Sequence, residues 1–228
     1  MMITAFTKWA LAGFVFMHFA MDCSGAAPGD ILGSFTAGGP IYASPTLSPN
    51  GTIYLGANDA KCYAITPSSD GLQQTWSYAA DEWIDSTAAI GPDGTIYFTT
   101  YNSTLVAVDP TSDSEKWTTT VGAEDNALGV IRSSPATGAD ENILVTTNAG
   151  FIHAFNSSGD QQWSFEMGAE SRSSPAIDAS GNVYFGAADG KLYCLNSSGQ
   201  MHRNGLVRGR DSRHQSNNHY LQLFGRLP

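Results

Sequence analysis

The chain has 228 residues, which is enough for one medium-sized domain with a buried core. Charged residues make up only 14% and glycine is abundant at 24 residues, a composition that favours strands and turns over helices. Residues 27–200 include 19 acidic and 5 basic side chains; such an acidic surface repels phosphate backbones, so nucleic-acid binding is not expected.

The first 26 residues have the three parts of a secretory signal peptide. Lys8 precedes a mostly apolar run over 9–21, and small residues at 24–26 precede the predicted cleavage position. The run is shorter than the ~20 residues of a membrane-spanning helix, so we expect a secreted or periplasmic protein without a membrane span. Asp22 argues against a lipid anchor at Cys23, because a lipoprotein signal has a small residue there. A buried or anchoring helix is the alternative interpretation.

Four copies of one unit follow. Two sets of aligned residues have the same spacings of 43, 47 and 40: Pro45, Ala88, Pro135 and Pro175, and Ile53, Ile96, Ile143 and Val183. This period is typical of β-propeller blades or of helical repeats. Short β-branched and aromatic runs separated by turn pairs such as Asn50-Gly51 favour antiparallel strands, and helical periodicity is lacking. The sequence predicts four-stranded blades over about 41–80, 84–121, 131–167 and 171–200.

Recurring motifs identify the type of blade. The copies over about 31–200 follow, with substitutions, the pattern Ser-Ser-Pro-Ala, Asp-Gly-Thr-Ile-Tyr, Lys-Leu-Tyr-Ala-Leu and a closing Trp. They resemble the pyrroloquinoline-quinone-like (PQQ-like) propeller repeat, shared by quinoprotein alcohol dehydrogenases and by the propeller lipoprotein of the bacterial outer-membrane assembly machinery. The resemblance implies an all-β propeller. It also implies a tryptophan-docking role for Trp76, Trp117 and Trp163, with Asp109 as the acidic residue of that motif.

The way the blades close remains open at this stage. Members of the family usually have seven or eight blades, so four repeats indicate a closed four-bladed ring, half of an eight-bladed ring that forms a homodimer, or a fragment. Residues 31–37 resemble a final blade strand and are predicted to supply the missing fourth strand of the last blade. Residues 201–228, with five Arg and one Asp, are predicted to be a basic, disordered or truncated tail.

Catalytic and cofactor motifs are lacking. The sequence has no HExxH, CxxC, GxSxG or GxGxxG motif, and the adjacent cysteines that hold PQQ in quinone-using relatives are missing, so neither PQQ nor calcium is expected. Asp81, Glu82 and Asp85 are the candidates for a metal site, but their spacing matches no known loop motif and a solvated surface is favoured. His153 occupies a core position in the repeat.

Other candidate sites fall in turns or in strands. Four glycosylation sequons lie in predicted turns, at Asn50, Asn102, Asn156 and Asn196. Cys62 and Cys194 are predicted to be core residues, with a disulfide as the alternative. These observations favour an exported, non-catalytic scaffold that binds a protein or an extended ligand on a propeller face. A PQQ-dependent dehydrogenase, or a fragment of one, is the alternative.

Overall fold

A computed structural model describes residues 27–125, 128–138, 140–201 and 207–208. These residues form sixteen β-strands in four antiparallel sheets of four strands, and the all-β propeller fold is confirmed. Within them, no helix is long and apolar enough to cross a membrane. The predicted signal peptide at 1–26, Cys23 and most of the predicted tail (202–206 and 209–228) lie outside the described residues.

Each blade is a meander whose strands follow chain order. Blade one contains β1 (Thr46–Leu47), β2 (Ile53–Ala57), β3 (Lys61–Ser68) and β4 (Gly71–Ala79). Blade two contains β5 (Ala89–Ile90), β6 (Ile96–Thr99), β7 (Thr104–Asp109) and β8 (Ser114–Thr120). Blade three contains β9 (Ala136–Thr137), β10 (Ile143–Thr146), β11 (Phe151–Phe155) and β12 (Gln161–Glu166). Blade four contains β13 (Ala176–Ile177), β14 (Val183–Gly186), β15 (Lys191–Leu195) and β16 (Val207–Arg208).

Both faces of the inner blades are buried, because strand residues point alternately towards the preceding and the following blade. We call the side towards the following blade the forward face and the other side the rear face. In blade two, Tyr97 and Leu105 lie on the forward face and Phe98 and Val106 on the rear face, and all four are buried. Successive blades therefore share a core, as expected for sheets that cannot bury both faces alone.

The described residues form an open arc. Three clusters of buried residues join blades one and two, two and three, and three and four, whereas the fourth cluster contains blade-one residues and the segment around Phe35. No buried cluster within the described part of the chain joins blade four to blade one. Within the described residues, no packed core therefore closes the four blades into a ring.

The prediction for the last strand of blade four was wrong. Val207–Arg208 pairs with Lys191 and Leu192 of β15, after an isolated bridge between Leu195 and Met201. The chain after a tight turn is the nearest backbone available to pair with the open edge of β15. The last sheet thus includes Val207–Arg208, which lies in the segment predicted to be a basic, disordered or truncated tail. Residues 31–37 form no strand, and Phe35 packs on Tyr63 of blade one with ring centroids 5.1 Å apart.

Candidate functional site

Two of the predicted docking tryptophans each contact the blade that follows. Trp117 Nε1 donates a hydrogen bond to the Ser157 carbonyl oxygen at 2.8 Å, and Trp163 Nε1 donates to the Ser197 carbonyl oxygen at 2.9 Å. Each indole ring lies against a glycine of the next blade, at Gly159 or Gly199. These contacts fasten blade two to blade three and blade three to blade four.

The other two residues of the predicted docking motif, Trp76 and Asp109, make contacts within their own blades. Trp76 is buried and packs on Tyr54 with centroids 5.8 Å apart, as Trp117 packs on Tyr97 at the same distance. The Asp109 carboxylate accepts hydrogen bonds from the backbone N–H and the hydroxyl of Thr111, and these bonds lower its pKa. Asp109 therefore stabilises the turn between β7 and β8.

The three metal candidates do not converge. Asp81 accepts a hydrogen bond from the Thr104 hydroxyl at 2.9 Å, and Glu82 accepts one from the backbone N–H of Trp83. Among the described residues, no group of three His, Cys, Asp or Glu side chains is placed to hold a metal ion. The acidic segment therefore offers no assembled metal site in this structure.

The two cysteines of the described residues lie on different blades. Cys62 and Cys194 are free, and they lie on β3 of blade one and β15 of blade four. Cys62 belongs to the core between blades one and two, and burial raises the pKa of its thiol to about 12. Cys62 and Cys194 are therefore not the adjacent cysteine pair that the family resemblance associates with PQQ. The alternative of a Cys62–Cys194 disulfide is wrong for this structure, because both thiols are free.

The sequon asparagines serve as turn residues. Asn156 Oδ1 accepts hydrogen bonds from the backbone N–H groups of Ser158 and Asp160, and Asn196 does the same for the next blade. Asn50 Oδ1 accepts a bond from the backbone N–H of Thr52, and Asn102 is exposed. Glycosylation at these positions stays a prediction.

A fully buried histidine ties blade two to blade three. His153 Nδ1 lies 3.2 Å from Gln161 Oε1 and 3.4 Å from Asp125 Oδ2, and Gln161 donates to that same carboxylate oxygen. Within the described residues, His153 Nε2 is buried without a hydrogen-bond partner. Burial lowers the pKa of His153, and the Asp125 carboxylate opposes that shift. This arrangement holds the segment after β8 against β11.

We expect His153 to make the protein less stable in mild acid. Its folded pKa lies below the ordinary 6.5, so as the pH falls through 6.5 the unfolded chain takes up the proton first. Stability is then lost below this pH, at up to about 1.4 kcal/mol per pH unit for one proton. Urea unfolding between pH 7.5 and 5.5 measures this slope. The variant His153→Gln should show a smaller slope, and an unchanged slope would contradict the assignment.

The turn between the second and third strands of every blade lies at one rim of the structure. In each blade, a backbone N–H of this turn donates a hydrogen bond to a carbonyl of the segment that precedes the blade. Tyr101 N–H donates to the Trp83 carbonyl at 2.8 Å, and Asn148 N–H donates to the Val130 carbonyl at 3.1 Å. Blades one and four have equivalent bonds. We call three sets of aligned residues the upper rim. The first set accepts these bonds and the second lies two residues later in the chain: Pro40, Trp83, Val130 and Glu170; and Tyr42, Asp85, Arg132 and Arg172. The third set donates the bonds: Asn58, Tyr101, Asn148 and Ala188.

An aromatic and cationic cluster lies at the centre of the upper rim. Arg132 Nη2 donates to the Tyr101 hydroxyl at 3.2 Å, and its guanidinium carbon lies 5.5 Å from the Tyr101 ring centroid. The bond with Tyr101 raises the pKa of Arg132, which therefore stays charged. Trp83 packs beside Tyr101 with centroids 6.1 Å apart, and 49% of Trp83 is exposed. An exposed tryptophan and an exposed arginine side by side are typical of protein-binding surfaces.

Unpartnered acceptors lie in the same rim. The side-chain oxygens Asn58 Oδ1, Asp85 Oδ1 and Asn148 Oδ1 are buried and have no hydrogen-bond partner among the described residues. Buried polar atoms without partners are rare in folded proteins because each is costly. Because these three oxygens are closed to solvent, they weaken the rim locally and offer no contact to a molecule bound on its surface.

Sequence reasoning missed the upper rim. Of the rim residues, only Asp85 is a candidate from the sequence, as part of the acidic segment 81–85; Trp83, Tyr101, Arg132 and Arg172 are not among the sequence candidates. The aligned repeats contain a usable signal, because no rim position has the same residue in all four blades, while most core positions stay apolar. Positions that vary on an otherwise repeated scaffold are where a specific site is expected.

Comparisons with known proteins agree with this architecture. A search of curated proteins finds no match. Among solved structures, 1078 chains match. The crystal structure of BamB from Moraxella catarrhalis has a TM-score of 0.61 and 17% identity, a likeness that shows the fold alone. The match covers 75% of this chain and 51% of that chain, so this protein spans about half the length of that relative. The family model described as outer membrane protein assembly factor BamB matches residues 23–218, and the chain belongs to this family of PQQ-like β-propellers.

Proposed function

We propose that the protein is an exported, non-catalytic scaffold that binds another protein through the upper rim during the assembly of outer-membrane proteins. The observation that carries the proposal is the cluster in which exposed Trp83 and exposed Arg132 both contact the half-buried Tyr101. Membership of a family described as an outer membrane protein assembly factor supports the biological setting. The proposal entails that adding PQQ and calcium produces no dye-linked alcohol oxidation.

The chemistry of the rim indicates what the partner presents. Lys116 and Lys191 are paired with carboxylates of their own blades, and exposed Arg172 lies 3.5 Å from the Glu170 carboxylate, whereas exposed Arg132 bonds to the Tyr101 hydroxyl. Arginine binds carboxylates in a bidentate manner, and Trp83 offers apolar area. An extended polypeptide with acidic side chains and apolar side chains satisfies both requirements.

Site-specific cross-linking tests this proposal. A photoreactive residue placed at position 83 should cross-link to a defined protein in a cell-envelope extract, whereas one placed at exposed Gln73 on β4 should not. With the captured protein purified, Trp83→Ala and Arg132→Ala should each weaken binding about tenfold, because central aromatic and arginine side chains dominate interface energies. Gln73→Ala is the matched control and should change the affinity less than twofold. Equal cross-linking at 73 and 83, or unchanged affinity of both rim variants, would refute the proposal.

A further inference from the structure

The rear face of blade one exposes residues that the other blades bury. Ile41, Ile84 and Ile131 occupy aligned positions, yet Ile41 is 42% exposed whereas Ile84 and Ile131 are almost fully buried against the preceding blade. Leu47 is 69% exposed, although the aligned Ile177 packs against the core between blades three and four. Leu55, Tyr63 and Ile65 of the same face are buried beside Phe35, so the part around Ile41 and Leu47 is where a preceding blade would pack and where the described residues provide none.

The forward face of blade four has open space at the position where blade one receives Ile84 of the next blade. At Gly56 of blade one, an added Cβ would lie 2.4 Å from Ile84 Cγ2, so this glycine makes room for the isoleucine of the next blade. Gly186 is the aligned residue of blade four, and its nearest neighbour would be Ser173 at 3.7 Å. The space left there is a surface cavity of about 370 Å³, which we call the Gly186 cavity; it is lined by Glu170, Arg172, Ser173, Gly186, Ala187 and Ala188.

The same asymmetry continues along the forward face. Leu192 on β15 is 41% exposed, while the aligned Cys62 of blade one is fully buried. Cys194 is half-buried, whereas the aligned Ala64 is fully buried. Both residues lie where blades one, two and three receive the next blade, so the forward face of blade four is an apolar surface of the kind that another blade covers.

The same backbone-to-hydroxyl hydrogen bond joins the segments that precede the first strands of successive blades. The backbone N–H of Ser44 donates to the Thr87 hydroxyl, that of Thr87 to the Ser134 hydroxyl, and that of Ser134 to the Ser174 hydroxyl, at 3.2, 2.9 and 2.9 Å. In the described structure, the Ser44 hydroxyl receives no such bond and the Ser174 N–H donates none. One end of the arc therefore offers the acceptor, and the other end the donor, of the same repeated contact.

We propose that two copies of this chain join head to tail, so that blade four of each copy packs on blade one of the other. Ile41 of one copy enters the Gly186 cavity of the other, as Ile84 packs on Gly56 within the chain. The Ser174 N–H donates to the Ser44 hydroxyl of the second copy. Because both ends of each copy are used, the two arcs close around a twofold axis and leave no open face.

The segment 33–38 fits the same arrangement. Phe35 contacts Tyr63 edge-on, as Phe165 of β12 contacts the aligned Tyr193, so this segment lies beside blade one where an outer strand of a preceding blade would lie. In the dimer, residues 33–38 of one copy lie beside the outer part of blade four of the other copy.

Sedimentation equilibrium of the full chain tests the proposal. The wild type should have twice the chain mass of 24.2 kDa at micromolar concentration. Gly186→Val fills the cavity and should weaken the dimer at least tenfold, while the folded monomer tolerates it because the added Cβ meets only Ser173. Ile41→Asp should act equally from the other side. Leu128→Asp, at a 63% exposed position on neither face, is the control and should remain dimeric.

Mixing the two variants tests the head-to-tail geometry. Ile41→Asp retains a normal blade four, and Gly186→Val retains a normal blade one, so an equimolar mixture should regain one intact interface and form a weak mixed dimer. Far-ultraviolet circular dichroism and melting curves should show that both variants stay folded. A wild-type chain that is monomeric at 100 µM, or a dimer that both substitutions leave unchanged, would overturn the proposal.

Discussion

Replacing Ile84 with alanine is expected to lower the free energy of unfolding by about 2–5 kcal/mol, the range for removing a large aliphatic side chain from a packed core. Ile84 is fully buried between blades one and two, and its Cγ2 occupies the space that Gly56 leaves free. The variant leaves a cavity where the two blades meet, and the rigid β2 backbone cannot move to fill it. Urea unfolding followed by intrinsic fluorescence measures the change.

Ile41→Ala is the matched control for this prediction. Ile41 holds the aligned position in blade one but is 42% exposed, so its replacement should change the stability of the isolated chain by less than about 0.5 kcal/mol. Both variants should be measured at nanomolar concentration, where self-association does not contribute to stability. If Ile84→Ala cost no more than Ile41→Ala, the two blades would not share the packed core described above.

Local patterns in the sequence account for the blades. Turn pairs such as Asn50-Gly51 and Asp93-Gly94 provide the glycines with positive φ between the first and second strands, and the 43-, 47- and 40-residue spacings align the strands that follow. These signals lie within one unit and repeat four times, so each copy reinforces the others. The fold class and the blade positions are therefore predictable from a single chain.

The ends of the arc were not predictable in the same way. Residues 31–37 do resemble a final strand, and Phe35 does occupy an outer-strand position, but it lies beside blade one and not beside β15. Val207–Arg208 lies in an arginine-rich segment without strand alternation, and it pairs with β15 because an open edge is adjacent. Which segment fills an edge depends on distance in space, and sequence spacing does not contain that information.

The upper rim shows a similar limit. Trp83 and Tyr101 are 18 residues apart and Arg132 is 31 residues further along, and no local motif links them. They meet because each blade places its second turn at the same end and because Arg132 extends across to the neighbouring blade. Alignment of the repeats predicts that these positions share a rim, but only coordinates show which side chains touch.

Replacing Gly159 with alanine is expected to lower the free energy of unfolding by about 2–4 kcal/mol. Gly159 has a φ of 86°, a conformation that costs alanine about 1 kcal/mol. The added Cβ would also lie 2.8 Å from two ring atoms of Trp117, so the indole must move and strain or lose its hydrogen bond to Ser157, and such overpacking costs about 1–3 kcal/mol. Thermal and urea unfolding measure the sum of the two effects.

Gly94→Ala separates the two contributions. Gly94 has the same φ of 86°, but nothing lies within 4 Å of an added Cβ, so this variant should lose only the backbone contribution of about 1 kcal/mol. In a Trp117→Ala background the clash is absent, so Gly159→Ala should lower the free energy of unfolding by no more than Gly94→Ala does. The difference between the effects of Gly159→Ala in the two backgrounds is the coupling energy between Trp117 and Gly159. Equal costs at Gly159 and Gly94 in the wild-type background would show instead that the indole adapts freely, and the tryptophan contacts would then not be what fastens one blade to the next.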